Sequence, residues 1–226
     1  MSEFISVAID GPSGAGKSSI ARKTAAEFGF LYVDTGAIYR TVGLAVCRRG
    51  ISSRNREAVR ELLPELSISL RYGEDGGQRM LLAGEDVSDA IRTPEISIYA
   101  SDVSSYPEVR AYLMETQRSL ARTNNVIMDG RDIGTVVLPD AGLKIFLTAS
   151  PEARAERRHL ELRQKGQDVS FEEVLKDMRY RDENDSRRAA APLRPAEDAV
   201  HLDTTDMDFD QSCRAVADLI RERFGI

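Results

Sequence analysis

The string Gly11-Pro12-Ser13-Gly14-Ala15-Gly16-Lys17-Ser18, directly after the apolar run Phe4–Ile9, constrains this chain more than any other feature. It fits G-x-x-x-x-G-K-[ST], a loop that joins a strand to a helix and cradles phosphate. Glycines let the backbone curl until several N–H groups point inward, which makes a nest for an anion. A helix opening near Lys17 adds the positive end of its dipole. Lys17 is then placed to reach the β- and γ-phosphates of a nucleoside triphosphate, and the Ser18 hydroxyl to help hold Mg²⁺. An ordinary glycine-rich turn would lack the flanking context. Here an apolar strand precedes the string, and an amphipathic segment follows it (Ile20, Ala21, Thr24, Ala25, Phe28). The pattern predicts a nucleoside triphosphate site.

A chain of 226 residues, 42% hydrophobic and 30% charged, can bury one sizeable core with an appendage or two. Its net charge of −6 argues against a sequence-independent grip on nucleic acid, which needs a basic surface. No run approaches the ~20 apolar residues of a membrane span. The N-terminus carries Glu3 and no basic stretch, so it does not read as a signal peptide. Cys47 and Cys213 lie far apart in helical patterns without metal-ligand spacing, and read as buried small residues. A reducing cytoplasm fits.

Short apolar runs at Phe4–Ile9, Phe30–Val33, Val126–Met128, Leu143–Leu147 and Val200–Leu202 predict five parallel strands covered on both faces. Helical patterns between them make an α/β layer architecture. Ser150-Pro151-Glu152 and Thr93-Pro94-Glu95 are helix starts, Ser170 with Glu173 is a capping box, and Pro107 opens another helix. The last helix carries a stripe of Phe209, Cys213, Val216, Leu219, Ile220 and Phe224. Leu66–Tyr72 alternates polar and apolar residues, turns at 73–77 and returns at Arg79–Ala83, as a hairpin with one wet face does. This predicts a subdomain at 63–103 inserted into a core formed by 1–62 and 104–226.

Two strand ends carry clustered polar residues. Asp34-Thr35-Gly36-Ala37-Ile38-Tyr39-Arg40 follows the second strand and opens a helix; the alternative is a plain Asp/Thr cap. Asp129-Gly130-Arg131-Asp132 follows the third strand, and packing two acids and an arginine among glycines serves no core purpose. In open α/β sheets ligands bind at the carboxyl ends of strands, so both strings should face the nucleotide. Either Asp34 or Asp129 could serve Mg²⁺, directly or through water. Arg181, Asp185 and Arg188 fall on one helix face, either as a surface ion-pair ladder or as a phosphate grip. Spacing does not decide between them.

Taken together, I-D-G-P-S-G-A-G-K, D-T-G-A-I-Y-R, G-E-D-V-S-x-x-I-R, D-G-R-D-I-G-T-V-V-x-P and R-D-x-x-D-x-x-R-x-x-A-P-L resemble bacterial cytidylate (CMP) kinases from residue 8 to 193. So does K-I-F-L-x-A-S-x-x-x-R-A-x-R-R, in the same order. The resemblance implies a three-layer P-loop NTPase fold with a five-stranded parallel sheet, a small antiparallel β insertion and a helical lid near 155–190. It implies that Gly11 through Ser19 bind ATP, with one of Arg154, Arg157 and Arg158, Arg157 foremost, on the donor's base or phosphates. Thr35, where serine is also found, belongs with the acceptor residues. Arg40, Arg131 and Arg188 would hold the acceptor phosphate. Ser101, Arg110 and Asp132 would read cytosine, and Arg181 and Asp185 would contact the sugar. Lys17, Asp129, Arg131, Arg181 and Arg188 would form the catalytic set, with Mg²⁺ as cofactor. The implied reaction is transfer from ATP to CMP or dCMP by a monomer working in pyrimidine metabolism. A kinase of sugars or shikimate would need no cytosine reader. A GTP switch would need the absent N-K-x-D string, and a nucleic-acid motor would need a basic surface.

Overall fold

The computed structural model describes residues 4–74, 76–164 and 166–226, so Glu3 and Asp75 of the 73–77 turn lie outside the described residues. In chain order the elements are β1 (Ser6–Asp10), α1 (Lys17–Phe28), β2 (Leu31–Asp34), α2 (Thr35–Arg48) and α3 (Arg56–Leu62). Then come β3 (Ile68–Tyr72), β4 (Gln78–Leu82), β5 (Glu85–Asp86), α4 (Pro94–Val103) and α5 (Pro107–Thr123). The chain closes with β6 (Val126–Gly130), β7 (Leu143–Thr148), α6 (Pro151–Gln164), α7 (Phe171–Arg187), β8 (Val200–Asp203) and α8 (Phe209–Phe224).

Five parallel strands form the main sheet in the order β2-β6-β1-β7-β8. Side chains alternate across a strand, and here both faces are covered. Val7 and Ile9 of β1 pack with Ile127, Ile145 and Leu147 beneath α1 and α8. Ala8 packs the other way, with Val33, Val126, Met128 and Ala121 of α5. The predicted apolar runs thus become strands of a three-layer sandwich. β8 departs from that expectation. It is the edge strand, and Val200 and His201 are exposed, because no neighbour covers it beyond β7.

Register sets the site. Asp34 of β2 lies opposite Asp129 of β6, and Asp10 of β1 lies opposite Gly130. Three carboxylates therefore stand at the carboxyl ends of three adjacent strands. The hairpin forms as expected, with Ile68, Leu70 and Tyr72 turned inward and Ser69 and Arg71 outward. A third strand, β5, was not legible, because the turn into it puts Ala83 at φ 50, a conformation alanine rarely adopts. This small sheet, α2, α3, α4 and α5 share one hydrophobic cluster around Ile38, Val42, Met80, Ile91 and Val103. The hairpin of α6 and α7 keeps a small cluster of its own (Ala155, Leu162, Val174, Met178).

Helix ends follow the sequence closely. Ser170 and Glu173 cap α7 reciprocally, Thr93 caps α4, and Pro107 is the first residue of α5. Arg188 is a correction: it sits just past the end of α7 in extended backbone (φ −60°, ψ 138°), so it does not share the helix face of Arg181 and Asp185. Both cysteines are free. Cys213 is buried, but Cys47 is only half-buried, packed against the cluster around α2. No helix among the described residues is long and apolar enough to cross a membrane.

Candidate active site

A cleft of about 890 Å³ opens at the carboxyl ends of β1, β2 and β6, between the glycine-rich loop, the small sheet, α4 and α7. The loop wraps tightly. A Cβ on Gly11, at φ 151, would lie 1.9 Å from the Leu147 carbonyl oxygen, so only glycine fits there. Gly16, at φ 87, takes the left-handed turn that starts α1 at Lys17, as the motif predicts. Lys17 is buried, and its Nζ donates to the Pro12 carbonyl at 2.7 Å. Burial, then the nearby Arg131, pushes its pKa down to about 7. The loop thus holds a buried amine whose charged form an anion would stabilise.

The three candidate arginines of α6 separate. Arg154 is buried under the loop, donating to the carbonyls of Ser13 (2.7 Å) and Ala149 (2.9 Å) and to Asp182 (2.6 Å). Asp182 also accepts the Ser13 N–H at 3.1 Å. Arg154 is a brace. Arg157 donates to the Thr204 and Met207 carbonyls (2.5 and 3.3 Å), and lines the cleft with Met207 and Phe209. Arg158 pairs with Glu161 at 2.7 Å and also lines the cleft. Ser19 lines the cleft as well, whereas Ala15 is buried beneath the loop.

Two acids were candidates for the metal, and the geometry separates them. Asp129 accepts Ser18 Oγ at 2.9 Å and the Tyr32 hydroxyl at 2.8 Å; burial, then Asp34, raises its pKa to about 6. Asp34 caps α2 by accepting Ala37 N–H at 2.8 Å and is paired with Arg40 and Arg92, each at 3.0 Å. Burial alone would raise its pKa, but the two guanidiniums outweigh that and hold it low. A hard cation takes oxygen ligands, and Ser18 with Asp129 offers a hydroxyl and an unpaired carboxylate side by side. That donor set fits Mg²⁺; Asp34, already shared by two cations, fits it less well. Thr35 Oγ1 donates to the Asp129 carbonyl at 2.8 Å, fixing the neighbouring strand end.

Across the cleft the remaining candidates converge. Arg131 donates to Asp185 at 2.8 Å, and Asp185 also accepts Ser101 Oγ at 3.3 Å. Asp132 is buried between Arg110, with which it forms a short ion pair, and Arg188 at 3.5 Å. Arg110 lies over the Tyr39 ring, 5.5 Å from its centre. Arg188 also donates to Ser104 Oγ at 3.2 Å. Arg181 stands apart: its Nε is buried with no hydrogen-bond partner among the described residues, and burial, then Arg131, lowers its pKa to about 10. Asp185 is only 4% exposed, which excludes a surface ion-pair ladder. Of the candidate site residues, all but Gly11, Pro12, Ala15 and Arg154 therefore line this cleft.

Some members gave no sequence signal. Tyr32 and Gln78 are single polar residues without periodicity, while Asp182, Arg92 and Asp10 sit inside the strings given above without a role. Asp10 is buried and accepts the N–H groups of Ile133 and Gly134, each at 2.7 Å, in a single π-helical turn that follows Arg131 and Asp132. Burial raises its pKa to about 6. The folded state then binds this proton more tightly than the unfolded chain, so ionising it costs stability as pH rises from about 4 to 6. Asp10→Asn, which cannot ionise, should gain on the original protein by about 3 kcal/mol over that window. Urea melts at pH 4 and pH 7 measure this; a difference independent of pH would contradict the shift.

The family model for cytidylate kinase matches residues 7–222. A cytidylate kinase of Caldicellulosiruptor bescii is 50% identical over 215 residues, covering 95% of each chain. One of Geobacter sulfurreducens is 48% identical over 217 residues, covering 96% of this chain and 93% of its own. An uncharacterized protein from Eubacterium ventriosum has a solved structure with TM-score 0.50 at 13% identity, covering 97% of this chain and 99% of that one; it speaks to the fold alone. With a match across nearly its whole length and relatives half identical to it, the chain belongs to the cytidylate kinase family.

Proposed function

We propose that this chain transfers the γ-phosphoryl group of ATP to CMP, giving ADP and CDP, and that it also accepts dCMP. One observation carries the reading: the loop holding Lys17 faces, across a single cleft, Arg131, Arg181 and the buried Arg188, together with the Arg110–Asp132 pair. The acceptor phosphate is already a dianion at neutral pH, its second pKa being about 6, so no general base is required. Catalysis then rests on alignment and on neutralising charge. Lys17 grips the donor's outer phosphates, while Arg40, Arg131 and Arg188 hold the acceptor's. Arg181, with its buried free Nε, meets the phosphoryl group in flight. Ser18 and Asp129 would hold Mg²⁺, which would supply positive charge to offset that of the donor's phosphates.

Asp132 supplies the base selectivity. Cytosine presents an amino donor at C4, whereas uracil presents a carbonyl oxygen that a carboxylate repels. A carboxylate has about four lone-pair sites, so Asp132 can keep its arginines and still accept the amino group. Arg110 and Ser101 complete the reader, and Asp185 and Arg181 meet the sugar. Residues near 155–190 act as a lid that keeps water from taking the phosphoryl group; their separate small core supports movement as a unit. The working unit is one copy, a reading supported by the donor loop, the acceptor arginines and the base reader all lining one cleft. Two free thiols and nucleotide substrates suit a reducing cytoplasm. An assay of ADP release across CMP, dCMP, UMP, AMP and GMP tests the reading. CMP and dCMP should lead UMP by roughly 5- to 150-fold. UMP or AMP as the best acceptor would reject it.

A further inference from the structure

The string Gly84–Arg92, whose residues the mechanism above does not use, is a bracket that delivers one side chain. Asp86 accepts the Ser88 N–H (3.0 Å) and Oγ (2.6 Å), and Ser88 Oγ in turn accepts the Met80 N–H of β4 at 2.9 Å. Val87 and Ile91 are buried and anchor the segment to the core. The product of this rigidity is the placement of Arg92 at the cleft, 3.0 Å from Asp34.

A structural tether is already present there. Gln78 accepts the Asp34 N–H at 2.8 Å and donates to the Asp34 carbonyl at 3.2 Å, hooking the small sheet to β2 through the backbone. Arg92 adds a charge that this hook does not need. Its side chain is 49% exposed, whereas Asp34 is 4% exposed, so one end of the pair is fixed and the other faces solvent in the cleft. Asp34 is shared between two guanidiniums, each at 3.0 Å. Arg40, the other partner, holds a buried Nε that has no hydrogen-bond partner among the described residues. Two guanidinium forks and a spare buried donor suit a dianion.

We propose that Arg92 is a further acceptor-binding residue, gripping the 5′-phosphate of the nucleoside monophosphate beside Arg40 in exchange for its contact with Asp34. This rests on the monophosphate-kinase reading of the cleft. Binding of the phosphate then draws the segment carrying Arg92 over the acceptor.

The test compares CMP with cytidine, which lacks the phosphate, by titration calorimetry and NMR on Arg92→Ala and Arg92→Lys. CMP affinity should fall about 10- to 100-fold in Arg92→Ala, with KM for ATP and the affinity for cytidine within about twofold of the original. Arg92→Lys, which keeps the charge but not the fork, should recover part of the loss; it serves alone should Arg92→Ala not fold. Equal weakening of CMP and cytidine would make Arg92 a tether only, and unchanged CMP binding would overturn the proposal directly. An original protein that phosphorylates CMP normally while Arg92→Ala does so equally well sinks this inference alone. An original protein that neither binds nor phosphorylates CMP sinks the reading beneath it.

Discussion

Lys17→Met should lose phosphoryl transfer by at least 10²- to 10³-fold and yet fold more stably than the original at neutral pH. The loss of rate follows from removing the single cation inside the phosphate loop, the size expected when one preorganised donor at a developing charge is deleted. The gain in stability follows from the cost of burying that cation. Lys17 is buried, and burial, then Arg131, lowers its pKa from 10.5 to about 7. A lysine whose folded pKa is depressed binds its proton less tightly in the folded state, so stability rises as pH climbs from about 7 towards 10.5. Below that window the charged ammonium costs the fold several kcal/mol, of order ~1.4 per pKa unit. Methionine has no charge to bury. Denaturation at pH 7 and pH 10 should show the variant's advantage shrinking at the higher pH. A variant that turns over normally, or that loses activity together with its fold, would contradict this role for Lys17.

Asp132→Asn should abolish most of the preference for CMP over UMP and weaken the fold. Asp132 is buried and is the carboxylate between Arg110 and Arg188. Removing one partner of a buried ionic cluster costs about 3–5 kcal/mol, because the remaining charges are left uncompensated. At the base, an amide can donate to the uracil carbonyl as readily as it accepts from the cytosine amino group, so the discrimination of ~1–3 kcal/mol is lost. The ratio of kcat/KM for the two acceptors is the decisive quantity, since it does not depend on how much protein is folded. An unchanged ratio would remove Asp132 from the reader.

Much of this could be read from the chain before any coordinates. The glycine-rich loop was legible because its glycines answer to backbone geometry, as Gly11 against Leu147 shows. The sheet was legible because buried parallel strands write themselves as unbroken apolar runs. The edge strand β8 and the third strand β5 were harder, since one is exposed and the other is two residues long. The acceptor residues came from family resemblance and not from spacing. Arg181 and Asp185 have the same periodicity in a solvated ladder as in a buried grip, and only the burial of Asp185 and of the Arg181 Nε tells the two apart. Arg188 misled because the helix ends one residue before it. Asp10, Tyr32 and Arg92 act through partners 58 to 124 residues away (Gly134 for Asp10, Asp129 for Tyr32 and Asp34 for Arg92), and no local pattern encodes such pairs.

Direct transfer between two nucleotides held in one cleft predicts a strict stoichiometry. Purified protein given ATP, CMP and magnesium, with the products separated by anion exchange, should form CDP and ADP in equal amounts, and neither product when one substrate is withheld. ADP without CDP, or no ADP at all, would contradict it.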